Sequence, residues 1–431
     1  MMRLFYTIFG LVLLFYQMAA YSYPKISSIK SNPDYLLITD NSLPIIDITI
    51  NINLGSRHDG NLPGLMNLTF ESISKLKYED EKIVDLFESM GARFNYNVGK
   101  DFSSITVRFI NNQENIIFIS KLLNYILTER RLEEKDLDFL KEKIKNTIYS
   151  QSLSPGPLAS IKLDEKFFAG TGYSHPIVGY QETINSIKTN NIIDQLNRAF
   201  NKSLIDINIV GNISENESAH MISKLLRNLP KGEKINYKPT EIKFNGKMFL
   251  NKVSMDTKQT HILIFTPAVS RTDEQYYSFL VINYLFGGSG FGSKLFSEIR
   301  QKRGLAYSVY SYLRPYKDFG ILAINMQTKN ENAREAIKIL KDEIYKLKNN
   351  NFDSEEISKA KNSILNNFYI RYDTNRKMLG LLSQINYLNL NLDYFNVYVN
   401  SINSVSNESI SKILEKELFI EKSIITAVGN F

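Results

Sequence analysis

A chain of 431 residues, 43% of them hydrophobic, is long enough for two or three packed domains. The net charge of +7 is dispersed, because lysine and glutamate are interspersed along the predicted helices without a concentrated basic stripe, and this dispersal argues against a nucleic-acid-binding surface. The chain has no cysteine, which excludes disulfide bonds and a lipid-modified N-terminal cysteine.

The N-terminus has the pattern of a targeting segment. Arg3 precedes an apolar run over residues 4–20, and small residues before Tyr23 offer a cleavage site. The run is short for a membrane-spanning helix, which needs about 20 apolar residues. We therefore predict a signal peptide over residues 1–22 and export to a bacterial periplasm. An uncleaved signal that anchors the protein in the inner membrane is the alternative.

After Tyr23 the sequence repeats itself. Within each half the pattern predicts the order strand, helix, helix, strand, strand, helix, helix. Three pairs of segments align between the halves: 46–57 with 260–271, the alternating apolar residues around Ile105 with those around Leu322, and 132–148 with 352–368. Their offsets are 214, 217 and 220 residues.

The repeat predicts an α+β protein of two tandem homologous domains, each a mostly antiparallel sheet covered by helices. We place the N-terminal domain at 23–229, a linker at 230–240 and the C-terminal domain at 241–431. Chance matching of two generic α/β patterns is the alternative.

The most informative stretch is residues 287–312, GGSGFGSKLFSEIRQKRGLAYSVYSY. A glycine-rich turn leads into a predicted helix from Lys294 to Arg303, which Gly304 ends. Arg300 and Tyr307 lie on opposite sides of that break, seven positions apart. From these residues alone, the simplest interpretation is a loop–helix–strand joint with a surface arginine and a half-buried tyrosine.

The same stretch resembles the C-terminal half of the pitrilysin and mitochondrial-processing-peptidase family of inverted-motif zinc peptidases. The match combines the glycine turn, the arginine–tyrosine spacing and the Gly-Leu-Ala-Tyr core. Residues 170–213 also resemble that family, so the likeness covers nearly all of the mature chain. It implies that Arg300 and Tyr307 face the zinc site and help to hold the substrate carbonyl. The turn residues Gly287, Gly288 and Gly290 would then form a hinge beside the catalytic chamber.

Family members that cut peptides hold zinc with an H-x-x-E-H motif on the first helix and a distant glutamate. The corresponding stretch here, GLMNLTFES, places Asn67, Phe70 and Glu71 at the His, Glu and His positions. Glu142 lies near the place of the distant ligand, but on a charged helix it is more simply a solvated residue. No two of the four histidines are four positions apart, and they are His58, His175, His220 and His261. The sequence therefore predicts no metal on this chain.

The resemblance implies a non-catalytic subunit of an exported heterodimeric zinc metallopeptidase. This chain would be inactive alone and would complete its partner's site with Arg300 and Tyr307. We expect zinc on a sibling subunit that carries the motif, a peptide or unfolded polypeptide as substrate, and membrane contact only through an uncleaved signal. A peptide-binding or scaffolding pseudo-peptidase of the cell envelope, without hydrolysis, is the alternative. An independent zinc enzyme with unrelated ligands is disfavoured by the histidine count.

Overall fold

The computed structural model describes residues 23–234, 238–243, 247–349, 352–416 and 419–431. The predicted signal peptide and residues 235–237 of the predicted linker lie outside these ranges. Two largely antiparallel sheets, one in each half of the chain, confirm the predicted α+β class.

The first half contains a six-stranded sheet and a separate two-stranded hairpin. Its strands are β1 (Ser27–Ile29), β2 (Tyr35–Thr39), β3 (Ile45–Ile52), β4 (Lys77–Tyr78), β5 (Glu81–Lys82), β6 (Arg93–Val98), β7 (Ser103–Ile110) and β8 (Ile205–Gly211). Its helices are α1 (Leu65–Glu71), α2 (Ile83–Ser89), α3 (Gln113–Thr128), α4 (Glu134–Ser152), α5 (Pro155–Phe167), α6 (Gln181–Ser186), α7 (Thr189–Ala199) and α8 (Glu215–Leu225).

The second half contains a five-stranded sheet. Its strands are β9 (Phe249–Ser254), β10 (Gln259–Ala268), β11 (Ala306–Pro315), β12 (Gly320–Lys329) and β13 (Ile424–Gly429). Its helices are α9 (Tyr276–Asn283), α10 (Lys294–Phe296), α11 (Ala333–Lys348), α12 (Ser354–Ile370), α13 (Asn375–Leu388), α14 (Tyr394–Asn403) and α15 (Asn407–Lys416).

The two sheets share one topology, which confirms the predicted duplication. The first sheet has the order β1-β2-β8-β3-β7-β6, and the second has the order β9-β13-β10-β12-β11. Removing β1 makes the two orders equivalent, and in both sheets the parallel pair is the same one, β2 with β8 and β9 with β13. Two independent α/β patterns would not reproduce a strand order together with its parallel pair, so chance matching is excluded. The domain boundaries themselves stay a prediction.

Side-chain periodicity explains the elements. In β7 the alternating residues Ile105, Val107 and Phe109 are each 1% exposed, which is the period-2 pattern of a strand with one buried face. Helix α3 buries apolar residues at helical spacing, and the Asn112 side chain caps its start by accepting a hydrogen bond from the Asn115 N–H at 2.7 Å. The apolar faces of such helices cover one side of the first sheet.

The two halves exchange a helix. Helix α5 follows α4 in the first half but packs on β10 and β13 of the second sheet. Helix α13, at the equivalent place in the repeat, packs on β3 and β8 of the first sheet. Leu36, Ile38 and Val210 of the first half consequently belong to the hydrophobic core of the second. Each sheet is thus covered by its own helices on one face and by a helix of the other half on the opposite face.

A search of the described ranges finds no helix that is both long enough and apolar enough to span a membrane.

Candidate functional site

The first helix carries the positions at which the family motif holds zinc. Gly64 begins it in the left-handed region, at φ 96°, and the buried Asp59 carboxylate accepts hydrogen bonds from the Gly64 and Met66 N–H groups. A carboxylate at this end neutralises the unpaired N–H groups of the first turn. The helix is therefore well formed, and what differs from the family motif is its side chains.

Phe70, at the position of the catalytic glutamate, is fully buried. Its ring packs edge-on against Phe200 with centroids 6.0 Å apart, and both rings belong to the core of the first half. An aromatic ring in a packed core can neither take up a proton nor orient a water molecule. This position therefore contributes to stability and not to chemistry.

Glu71, at the second histidine position, forms a salt bridge with Lys143. Lys143 Nζ of α4 lies 2.7 Å from Glu71 Oε2, and the Tyr96 hydroxyl donates to the same oxygen at 3.4 Å. Burial and the nearby Glu71 charge raise the pKa of Tyr96 to about 12, so its phenol stays a donor. Glu142, which precedes Lys143 on α4, has a side chain that is 68% exposed and pairs with Lys145, as expected for a solvated glutamate.

These residues do not fit a zinc ion. An asparagine, a buried phenylalanine and a glutamate already paired with a lysine replace the two histidines and the base, and Zn²⁺ prefers imidazole, thiolate and carboxylate ligands in a tetrahedral set. Within the part of the chain that the structure describes, no group of three or more His, Asp or Glu side chains is arranged to hold a metal.

The second half places Arg300 and Tyr307 in direct contact. The Arg300 guanidinium carbon lies 4.4 Å from the centroid of the Tyr307 ring, within the range of a cation–π interaction. It also lies 5.0 Å from the Phe296 ring and 5.8 Å from the Phe291 ring. Neither the guanidinium nor the Tyr307 hydroxyl has a hydrogen-bond partner among the described residues, so both polar groups are available to a ligand.

Tyr307 is 83% exposed, so the interpretation of this residue as half-buried is wrong. The reason is a β-bulge. Ala306 pairs with Thr328 and Ser308 with Gln327, which leaves Tyr307 as the additional residue in β11. A bulge redirects the side chain of the unpaired residue, and such bulges are common at sheet edges. Strand β11 is at the edge of the described second sheet, where β12 is its only neighbour.

The segment that carries Arg300 also differs from the predicted helix over Lys294 to Arg303. Only α10 is α-helical, and residues Ser297–Gln301 continue it as a π-helical turn. Glu298 in this turn pairs with Lys302 and Arg303 at 2.5 and 2.8 Å, and these hydrogen bonds lower its pKa to about 2. Glu298 is thus paired with those two cations, and no carboxylate of the described residues pairs with Arg300.

The predicted glycine turn is a close-packed joint. Residues Tyr284–Gly288 form a second π-helical turn, and a Cβ on Gly287 would lie 2.4 Å from Ser311 Oγ of β11. Gly288 is similarly close to Asn283, and Gly290 has a φ of 64°. Glycine is required here because the turn contacts the strand that carries Tyr307. A hinge motion at this joint stays a prediction.

Two features of the site were not predicted. The first is Lys143, for which no short motif gives a signal, because its contact with Glu71 depends on how α1 packs on α4. The second is an aromatic stripe, which we define as Phe291, Tyr307, Tyr310 and Tyr312. These rings are 37–83% exposed, and the period-2 spacing of Tyr310 and Tyr312 was a readable signal.

Comparisons with known proteins agree with this geometry. Residues 186–364 match a family model described as "Peptidase M16 inactive domain". This part of the chain is therefore similar to the peptidase M16 family. A Rickettsia bellii protein described as an "Uncharacterized zinc protease" is 27% identical over 288 residues, which are 67% of this chain and 68% of that protein. A Helicobacter pylori protein described as "Non-peptidase homolog YmxG" is 22% identical over 379 residues, or 87% of each chain.

A crystal structure of a peptidase M16 inactive domain from Pseudomonas fluorescens has the same fold. It aligns with a TM-score of 0.88 at 24% identity, over 95% of this chain and 98% of that one. The family model and these relatives confirm the predicted resemblance to the zinc-peptidase family. Because the motif positions hold Asn67, Phe70 and Glu71, this chain resembles the inactive, non-catalytic members of that family.

Proposed function

We propose that this protein is the non-catalytic subunit of a heterodimeric zinc metallopeptidase and that it contributes Arg300 and Tyr307 to its partner's active site. One observation carries the proposal. Arg300 and Tyr307 are in cation–π contact, their polar groups have no hydrogen-bond partner among the described residues, and Tyr307 is exposed, whereas the zinc positions of the same chain hold a core phenylalanine and a glutamate–lysine pair. A pair with a purely structural role would be buried or bonded to the rest of the chain.

Arg300 and Tyr307 have the chemistry for binding an oxyanion. The guanidinium is a permanent cation with planar donors, and the phenol is a neutral donor. During hydrolysis of a peptide bond, negative charge develops on the carbonyl oxygen as water adds to the carbonyl carbon. Donors aimed at that charge lower the barrier by about 3–4 kcal/mol each in enzymes of known mechanism. Stacking on Tyr307 also limits the conformations of Arg300, which reduces the cost of ordering it.

The edge position of β11 suits an extended peptide. A strand at a sheet edge has N–H and C=O groups with which an added strand can pair, so it recognises backbone more than sequence. The exposed Tyr310 and Tyr312 rings, with centroids 6.0 Å apart, would contact alternate side chains of that peptide. We expect unfolded segments with apolar or aromatic side chains to be the preferred substrates.

Export is part of the proposal, on the strength of the apolar run that precedes Tyr23 in the sequence. A periplasmic location would place the heterodimer where unfolded envelope polypeptides are its substrates. Fractionation of cells that express the full chain, followed by N-terminal sequencing, tests this part. An N-terminus at Tyr23 in the periplasmic fraction supports it, and an intact N-terminus in the cytoplasm contradicts it.

The experiment for the central part is a reconstitution. The chain is mixed with a sibling M16 subunit that carries H-x-x-E-H, and hydrolysis of a quenched fluorescent peptide is followed. Arg300→Ala and Tyr307→Phe should each lower kcat/KM by about one hundredfold or more while the complex still forms. Tyr345→Phe, which removes a hydroxyl from an exposed tyrosine outside the aromatic stripe, and Lys302→Ala, which removes a nearby exposed charge, are the matched controls. Turnover that is unchanged by both Arg300→Ala and Tyr307→Phe would refute the role.

A scaffolding or peptide-binding protein without hydrolysis is the second candidate, and the aromatic stripe favours it, because exposed rings bind peptides whether or not hydrolysis follows. The two candidates differ in a simple way. A sibling gene with an H-x-x-E-H motif beside this one, together with peptide hydrolysis by the mixed chains, supports the heterodimeric peptidase. Peptide binding by the isolated chain, with no turnover in any mixture, supports the scaffold.

A further inference from the structure

A second candidate site, lined mainly by polar and aromatic residues, lies between the two halves. It is a cavity of about 560 Å³. The first half contributes Asp101 and Phe102, and the second half contributes residues from β11 and from α9, α12, α13 and α14 or the segments next to them. We propose that this interdomain cavity binds a phosphate group, as inorganic phosphate or as a phosphomonoester.

Arg271 is the residue that points to an anion. It is only 5% exposed and lines the cavity. Its guanidinium carbon lies 4.2 Å from the Tyr276 ring centroid, and its Nη2 donates to the Tyr394 hydroxyl at 3.0 Å. No carboxylate of the described residues forms an ion pair with it. Its guanidinium faces three phenol rings and bonds to the hydroxyls of Tyr277 and Tyr394, which leaves part of its five-donor capacity unused.

A charge buried in this way needs a counter-charge. Moving a cation out of water is unfavourable unless an opposite charge or a full set of hydrogen bonds compensates, and for this reason buried arginines are usually paired with carboxylates. Aromatic faces offset part of that cost through cation–π attraction. A bound oxyanion would supply the remainder, because the planar fork of a guanidinium matches phosphate oxygens in a bidentate arrangement.

The repeat itself provides a comparison. Arg57 is the counterpart of Arg271 in the first half, and it also donates to a tyrosine hydroxyl, that of Tyr173, at 3.0 Å. Arg57, however, has a carboxylate partner, with its Nε 3.2 Å from Asp101 Oδ1. The residue equivalent to Asp101 is Asp318, which accepts a hydrogen bond from the Thr240 N–H. The second half thus keeps the arginine–tyrosine pair, but no carboxylate of the described residues pairs with Arg271. A bound anion in the cavity would take the place that Asp101 has beside Arg57.

A second guanidinium faces the same cavity. Arg371 follows the end of α12, is exposed, and has no side-chain hydrogen bond or ion pair among the described residues. Lys377 also lines the cavity, but it is paired with Asp373 at 2.7 Å. Asp101 is the one carboxylate among the described lining residues, and Arg57 and Tyr173 already contact it. The lining therefore has an excess of positive charge.

The charge and the donors match phosphate better than a carboxylate. Arg271 and Arg371, which form no ion pair with the described residues, carry two positive charges, and a phosphate monoester carries about −1.5 to −2 at neutral pH. The lining also includes phenol groups that can donate to the remaining oxygens: Tyr276, Tyr372, Tyr394 and Tyr398. The cavity is larger than one phosphate ion, so an organic group attached to the phosphate could also be accommodated.

Calorimetric titration of the isolated mature chain with inorganic phosphate tests the proposal, with sodium chloride at matched ionic strength as the reference. We expect saturable binding that Arg371→Ala weakens about tenfold or more, because that variant leaves the phosphate with one cation fewer. Arg371→Lys should weaken it less. The matched control is Arg376→Ala, which removes another exposed arginine five positions away and should leave the affinity unchanged. Arg271→Lys is a further variant, whose folding is checked first by circular dichroism.

Phenyl phosphate and a peptide with a free C-terminal carboxylate complete the design. Tighter binding of phenyl phosphate than of inorganic phosphate identifies a phosphomonoester as the natural ligand, and equal affinities identify the inorganic ion. The proposal is overturned if phosphate shows no saturable binding, if Arg371→Ala binds as well as the unaltered chain, or if the carboxylate peptide binds and phosphate does not. None of these outcomes depends on peptide hydrolysis, so the result is independent of the proposed function.

Discussion

Replacing Phe167 with alanine tests whether helix α5 joins the two halves. Phe167 belongs to the first half, but it is 1% exposed and its ring meets Phe265 of β10 edge-on, with centroids 5.4 Å apart. It contacts Phe168 as well, at 5.1 Å. Removing a fully buried ring loses its transfer free energy and leaves a cavity that a sheet cannot close, so the free energy of unfolding should fall by about 3–5 kcal/mol.

Urea denaturation followed by far-ultraviolet circular dichroism measures this change, since the chain has no tryptophan to report on unfolding. Leu153→Ala is the control, because Leu153 is 58% exposed and its truncation should change the free energy by less than about 0.5 kcal/mol. A loss below about 1 kcal/mol for Phe167→Ala would show that α5 is not part of the second half's core.

Two further predictions concern the stability contributions of His58 and Gly287. Burial lowers the pKa of His58 to about 4. As the pH falls, His58 is therefore protonated in the unfolded chain before it is protonated in the folded chain. The contribution of His58 to the free energy of unfolding is complete above about pH 6.5 and is lost as the pH falls towards 4. His58→Asn should therefore flatten the dependence of this free energy on pH between those two values. An identical profile for the variant would contradict this. Gly287→Ala should cost about 1–3 kcal/mol in chemical denaturation, because its Cβ would lie 2.4 Å from Ser311 Oγ. Gly380→Ala is its control, since a Cβ at Gly380 would meet no neighbouring atom within 4 Å. Alanine there should raise the free energy of unfolding by up to about 1 kcal/mol, because it favours the helix more than glycine does. Equal effects of the two substitutions would argue against the close packing at Gly287.

Sequence reasoning identified the repeat correctly because periodicity is local. The aligned segments become β3 and β10, then β7 and β12, then α4 and α12, and the last pair begins at Glu134 and Ser354 as the offset of 220 requires. The helix exchange was not predicted. An amphipathic pattern shows which face of α5 is apolar but does not show which sheet covers that face, because such a choice depends on contacts between residues far apart in sequence.

The local geometry of the site also required the structure. The spacing of Arg300 and Tyr307 and the break at Gly304 were visible in the sequence. The bulge that exposes Tyr307 and the π-helical turn that carries Arg300 were not, because both arise from how β11 pairs with β12 and how the turn fits against it. Arg271 is a further example. That no carboxylate of the described residues pairs with it could not be predicted from the sequence, because the pairing depends on its surroundings in the fold.

The central claim is a division of roles, in which this chain polarises the scissile bond and a partner supplies the metal. The most direct measurement is the zinc content of the isolated, purified chain, together with its activity on unfolded polypeptides. We predict only a small fraction of a zinc ion per chain and no proteolysis, because Phe70 and the Glu71–Lys143 pair replace the ligand set. About one tightly bound zinc per chain, with peptide cleavage in the absence of any partner, would contradict the account.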